Sequence, residues 1–184
     1  SPEQIACAAK EHHCASVAFT YNDPVIFIEY ALDVAAACRD LGLRTVAVTA
    51  GYIQGQARTD FFAGMDATNI DLKAFSDAFY RDICGATLQP VLDCLLIAKS
   101  LGTIVEVTNL LIPTLNDSDG DIGGLCRWLR GNMGAETPLH FSRFFPHHRL
   151  RNLPPTPPAT LERAAAIARA EGLAFVYVGN ILEE

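Results

Sequence analysis

Three short runs of this sequence alternate apolar residues with polar or ionisable ones. Asn69, Asp71 and Lys73 flank Ile70 and Leu72; Glu106 and Thr108 follow Val105 and Val107; His140 and Ser142 follow Leu139 and Phe141. Side chains on a strand point to opposite faces in turn. Each run therefore gives one apolar face and one face that carries chemistry. Burying several ionisable groups without partners or water costs roughly several kcal/mol each. The polar faces point to a wide, wetted cavity built for a polar ligand. The same residues allow a plainer arrangement, a self-satisfied network in which Asp71 and Lys73 pair at i, i+2.

Further candidates stand where strands end, and parallel α/β proteins bind ligands at that carboxyl rim. They are Thr20-Tyr21-Asn22-Asp23, Thr49-Ala50-Gly51-Tyr52, Asp71-Leu72-Lys73 and Gly179-Asn180. Lys73 is one of only three lysines, and Lys10 and Lys99 fall on predicted helices. Gly51 is expected to let a ligand approach the backbone closely.

The elements that must position these residues are legible from a recurring unit. CRDLGLRTVAVT around Gly42, AKSLGTIVEVT around Gly102 and ARAEGLAFVYV around Gly172 each end an amphipathic helix on Gly and enter a strand. Glycine just past a helix end adopts φ > 0 without a Cβ penalty. Helix, Gly, buried strand, repeated, predicts βα units and a parallel sheet. Strands are expected at 16–20, 45–49, 67–73, 103–112, 138–143 and 174–178. Helices are expected at 2–13, 24–41, 55–63, 76–83, 88–101, 119–131 and 157–171. Ser1 with Gln4 forms a capping box, with Pro2 at the first helical position. Ile122, Leu125, Cys126 and Leu129 recur as one core-facing stripe. No domain boundary appears. Six βα repeats fall short of the eight of a closed barrel, and the chain opens on a helix cap. The expectation is an α/β, partial (β/α)6-type barrel over residues 1–184, with its first strand and loop missing.

Composition bounds the function. The 184 residues carry 14 Lys+Arg against 21 Asp+Glu, a net charge of −7, and half are apolar. That length suits one domain burying about 70% of its unfolded surface. An acidic chain is a poor binder of nucleic acid, which is held by Lys/Arg on phosphates. No run of apolar residues is long enough to cross a membrane as a helix. The six cysteines sit mostly among apolar residues, behaving as small hydrophobes. None is paired as CxxC, so no metal site is expected within this chain, and a reduced, cytoplasmic protein is.

AFTYNDP (18–24), VTAGY (48–52), NIDLKAF (69–75), LLIPTLNDS (110–118), PLHFSRFFP (138–146) and VYVGN (176–180) resemble the radical S-adenosylmethionine (SAM) enzymes. The resemblance is to the radical SAM member of the AmmeMemoRadiSam system, related to the pyruvate formate-lyase activating enzymes. It runs in order along nearly the whole chain. It implies an oxidoreductase or activating enzyme in which a [4Fe-4S] cluster and SAM together generate a 5′-deoxyadenosyl radical. It implies that Thr20, Tyr21, Asn22 and Asp23 meet the methionine amino group, and that Thr49 and Gly51 line the SAM site. Asp71 and Lys73 would attend the ribose and carboxylate, and His140 the nucleoside. Glu106, Thr108, Ser142 and Arg143 would face the substrate, a protein or small molecule, with companion proteins of that system as partners.

Two departures stand out in the motifs. Asp23 replaces the usual glutamate of TYNEP, and Ala50 stands where TNG is common. The CxxxCxxC loop that binds the cluster is absent, and the resemblance places it upstream of Ser1. Cys7 and Cys14 lack a third ligand at suitable spacing. Two other readings of the residues remain open: a Schiff-base lyase of the aldolase type using Lys73, and a non-catalytic partner-binding scaffold with an unpaired edge at strand 16–20. Arg143, His147, His148, Arg149 and Arg151 form a local basic cluster in an acidic protein; a solvated loop is the plainer reading, and an anionic substrate or companion protein bound there is the other.

Overall fold

In the computed structural model, residues 1–181 are described. Helix α1 (Pro2–Glu11) opens on the expected capping box, with the Gln4 side chain accepting from the Ser1 amine at 2.6 Å. It leads to β1 (Ser16–Phe19), α2 (Ile28–Asp40), β2 (Arg44–Thr49), α3 (Gly55–Ala63) and β3 (Ala67–Asp71). Then come α4 (Asp77–Phe79), α5 (Gln89–Ser100), β4 (Ile104–Leu111), α6 (Asp119–Asn132), β5 (Leu139–Arg143), α7 (Pro158–Ala170) and β6 (Val176–Gly179). The six strands take chain order in one sheet. Pairing is parallel between β1 and β2, β2 and β3, β4 and β5, and β5 and β6. This is the α/β arrangement that the helix–Gly–strand repeat predicts, and Gly42, Gly102 and Gly172 have φ of 71°, 82° and 92°.

The residues group into two compact units, one of Ser1–Ile70 with Pro90–Val105, the other of Asp71–Gln89 with Glu106 onward. The first packs Ala6 of α1 and Val34 and Cys38 of α2 with Leu43, and Val17 and Phe19 of β1 lie against them. The second packs Ala74, Phe79, Ile112 and Phe144, with Leu110, Leu115, Leu150 and Leu153 against them. The predicted stripe of α6 is buried at Ile122, Leu125, Cys126 and Leu129.

Two helices differ from expectation at their starts or ends. Residues Pro24–Phe27 form a 3-10 turn before α2, and the Asp23 carboxylate caps it by accepting from Val25 N–H at 3.3 Å. The 76–83 helix is one α turn that widens into a π-helical turn, Tyr80–Cys84, ending on Gly85 at φ 65°. π turns are uncommon and often mark functional places. Here the wide turn sets the Tyr80 phenol against Lys73. The cysteines divide evenly, so the expectation that they behave as small hydrophobes holds for half of them: Cys38, Cys94 and Cys126 are buried, while Cys7, Cys14 and Cys84 are exposed. Cys14 follows α1 and Cys84 closes the π-helical turn, while Cys7 lies midway along α1, where only Ala6 is buried.

Candidate functional site

In the first unit, β1 ends in a turn whose hub is Asp23. Its Oδ1 accepts from the Thr49 hydroxyl at 2.7 Å and from Val25 N–H, and its Oδ2 accepts from Ala50 N–H at 2.8 Å. A carboxylate has about four acceptor positions, so one remains for an incoming donor. Thr20, Tyr21 and Asn22 are exposed, Tyr21 almost completely at 99%. Thr49 is 2% exposed, and its hydroxyl also accepts from Gly51 N–H at 3.0 Å. Thr49 therefore ties this turn together through Asp23 and Gly51. Gly51 is also required by packing. It sits at φ 66°, and a Cβ there would lie 2.9 Å from Ile70 Cγ2.

In the second unit, the alternation in the sequence holds. Leu72, Val107, Leu139 and Phe141 are buried, while Asp71, Lys73, Glu106, Thr108, His140 and Ser142 are half-buried on the other face. The charged groups pair: Lys73 Nζ donates to Asp71 at 2.7 Å, and His140 Nε2 lies 2.8 Å from Glu106. Their side chains stay 28–44% exposed, so the pairs are wet and reachable. The plainer arrangement of paired charges and the accessible polar face thus coexist. Tyr177 of β6 stacks on the His140 ring at 4.9 Å and 20°. Ser142 accepts from Asn180 at 2.9 Å. Arg143 is engaged elsewhere: its Nε donates to the Thr156 carbonyl at 2.8 Å and its guanidinium lies over Phe145. Arg143 therefore holds the base of the loop that follows β5.

The backbone of Lys73 is gripped on both sides. Its N–H donates to the Tyr80 hydroxyl at 3.1 Å, and its carbonyl accepts from Asn116 at 2.7 Å and Asn109 at 3.2 Å. Asn109 also donates to Leu72 O, and Asn116 accepts from Ile112 N–H. All three side chains are 2–3% exposed. Burial holds the Tyr80 phenol well above the ordinary tyrosine range, so it stays neutral. Satisfied buried networks of this kind rigidify what they hold. Sequence reasoning missed Tyr80, Asn109, Asn116 and Tyr177. Asn109 carried a readable signal, since it shares the parity of Val107 and Leu111, where a polar residue must have a buried partner.

A Schiff-base lysine needs a desolvated amine, whereas Lys73 is one-third exposed and paired with a carboxylate. A [4Fe-4S] cluster needs several cysteine thiolates. Among the described residues no three His, Cys, Asp or Glu side chains gather to hold a metal, and three of the six thiols are core groups. The described residues do not fit the cluster. They do fit SAM: carboxylates suit hydroxyl and ammonium donors, Lys73 suits a carboxylate, and the His140–Tyr177 stack offers an aromatic face.

The sequence profile of the radical SAM superfamily matches residues 1–129, and the chain belongs to that superfamily. An uncharacterized protein of Methanocaldococcus jannaschii, MJ0808, is 42% identical over 181 residues, 98% of this chain and 54% of its own. The pyruvate formate-lyase-activating enzyme of Clostridium pasteurianum is 25% identical over 134 residues, 73% of this chain and 54% of its own. The chain thus spans about half the length of these curated relatives. A domain of the pyruvate-formate lyase-activating enzyme from Bacteroides vulgatus superposes with TM-score 0.76 at 15% identity, covering 90% of this chain and 99% of that one. SuiB of Streptococcus suis bound to S-adenosylmethionine gives TM-score 0.76 at 13% identity, covering 97% and 42%. These likenesses establish the fold, six strands with helices as in radical SAM partial barrels.

Proposed function

We propose that this chain is the SAM-recognising part of an enzyme resembling the pyruvate formate-lyase-activating enzymes, working with companion proteins in a system of the AmmeMemoRadiSam kind. The observation that carries this reading is the strand-end set of the second unit. There Asp71–Lys73 and Glu106–His140 stand paired, reachable and backed by a dry face. Lys73 has two N–H donors beyond the one given to Asp71, enough for a methionine carboxylate. Glu106 and Asp71 retain acceptor positions for the ribose hydroxyls. The His140 ring, stacked on Tyr177, gives the adenine a flat neighbour. When bound, SAM supplies an adenosyl group released by one-electron cleavage of its sulfonium. The chain's own part is to orient and hold that molecule, with Lys73 fixed by the Tyr80, Asn109 and Asn116 grip.

Calorimetric titration of SAM into the chain tests the assignment. Lys73→Ala and Glu106→Gln are each expected to weaken binding about tenfold, the equivalent of one charge-assisted hydrogen bond. Unchanged affinity in both would remove these residues from the site. The whole protein, reconstituted anaerobically, should release 5′-deoxyadenosine from SAM; intact SAM binding with no such product would refute the cleavage reading.

A further inference from the structure

The basic segment after β5 is a built surface. Residues 144–156 leave and return at one point: Phe144 N–H donates to Thr156 Oγ at 3.1 Å, and Thr156 N–H donates to Phe144 O at 3.0 Å. Thr156 is fully buried, and its hydroxyl donates to Leu111 O at 2.5 Å. Leu150 and Leu153 pack on the core residues Ala74, Phe79, Ile112 and Phe144. Compact loops closed in this way and packed by their own side chains are Ω-loops, which frequently carry function.

What the loop presents is unlike the rest of the surface. No Asp or Glu occurs between Glu136 and Glu162 in a chain of net charge −7, yet Arg143, His147, His148, Arg149 and Arg151 fall within that interval. Most arginines here are engaged: Arg44 with Asp66, Arg58 with Asp93, Arg81 with Asp77, Arg127 with Glu171, and Arg163 with Asp119. Among the described residues, exposed Arg149 and Arg151 have no hydrogen-bond or ion-pair partner. Beside them opens a cavity of about 430 Å³, lined by Asp82 and Ile83 of the π-helical turn and by His147, His148, Arg149 and Leu150. Ile83 is 42% exposed and Phe145 43%.

We propose that this Ω-loop and the π-helical turn form a docking surface for an acidic peptide segment of a partner or substrate protein. One aliphatic side chain of the segment would enter the cavity against Ile83 and Leu150, while its carboxylates meet Arg149 and Arg151. Charge complementarity selects the sign of the partner, and the apolar floor selects a peptide. Sequence-independent nucleic-acid binding rests on many phosphate contacts, and two free guanidiniums on an acidic chain supply few. Asp82 on the cavity wall disfavours an anion buried at its bottom, so the carboxylates belong at the rim. Rim charges act mainly on association rate and salt dependence.

The probe is a short fluorescein-labelled peptide of alternating Glu and Leu, titrated into the chain by anisotropy and by backbone amide shifts. Its Gln–Leu counterpart and an oligothymidylate of matched length serve as comparisons. Saturable binding with shifts confined to 82–83 and 143–153 is expected. The double substitution Arg149→Glu/Arg151→Glu should weaken it on the order of tenfold, two exposed ion pairs' worth. The charge-matched Lys10→Glu/Arg130→Glu should not. Absence of saturable binding, equal weakening by the control, equal affinity for the Gln–Leu peptide, or tighter binding of the oligothymidylate would each overturn the proposal.

Discussion

Asp23 offers the sharpest test of how the first unit is held, because one carboxylate there serves three donors. Asp23→Asn leaves a single acceptor oxygen. The best rearrangement turns that oxygen to Ala50 N–H and lets the new amide donate to the Thr49 hydroxyl, which already accepts from Gly51. Val25 N–H then loses its cap. Losing charge assistance costs about 1 kcal/mol and losing a helix cap about another. The expected destabilisation is therefore about 2 kcal/mol. Asp23→Leu removes every acceptor and strands part-buried donors, for about 3–5 kcal/mol. Urea unfolding followed by circular dichroism reads both as midpoint shifts, about 1 M for the asparagine variant if the slope is near 2 kcal/mol/M. An asparagine variant within about 0.5 kcal/mol of the parent, or a leucine variant no worse than asparagine, would refute the clamp.

Gly51→Ala should cost roughly 2–4 kcal/mol in the same assay, combining a positive φ with overpacking against Ile70; a neutral outcome would mean β3 shifts freely. Asp66 is held below the ordinary carboxylate range: burial alone raises it, but Thr45 N–H, the Arg44 guanidinium and the Thr45 hydroxyl outweigh burial. A depressed carboxylate adds stability that is complete above its unfolded value near 4 and is lost as pH falls through the folded one. Asp66→Asn should thus lower stability at neutral pH by roughly 1 kcal/mol and flatten the decline below about pH 4. Iodoacetamide under native conditions should label Cys7, Cys14 and, more slowly, Cys84, whose thiol is raised by burial. Cys126, pushed up to about 12 by burial, should react only after unfolding, with peptide mass spectrometry as the readout.

The elements were legible because their signals are local. A Gly in positive φ after a helix, or a two-residue alternation in a strand, depends on backbone geometry within a few residues. Hence all six strands lie within a residue or two of expectation. The π-helical turn at 80–84 was not legible. Its widened ring brings Tyr80 against Lys73, a contact that periodicity does not encode. The exposed cysteines illustrate the same limit, since an apolar neighbourhood in sequence does not say which side of a helix finds a neighbour.

By itself, the sequence determined which face each residue of β3, β4 and β5 takes, and so which ionisable groups are kept out of the core. Only the tertiary structure decided what those groups do there. Register and loop path bring Asn109 and Asn116, far along the chain, onto the Lys73 carbonyl, and put Tyr177 on His140. They also turn the Thr49 hydroxyl to Asp23 and bring the Ile70 side chain against Gly51. The physical reason is directionality: a face is fixed by the period of the backbone, whereas a hydrogen bond needs a donor and acceptor within about 3 Å, and only the folded chain supplies that distance.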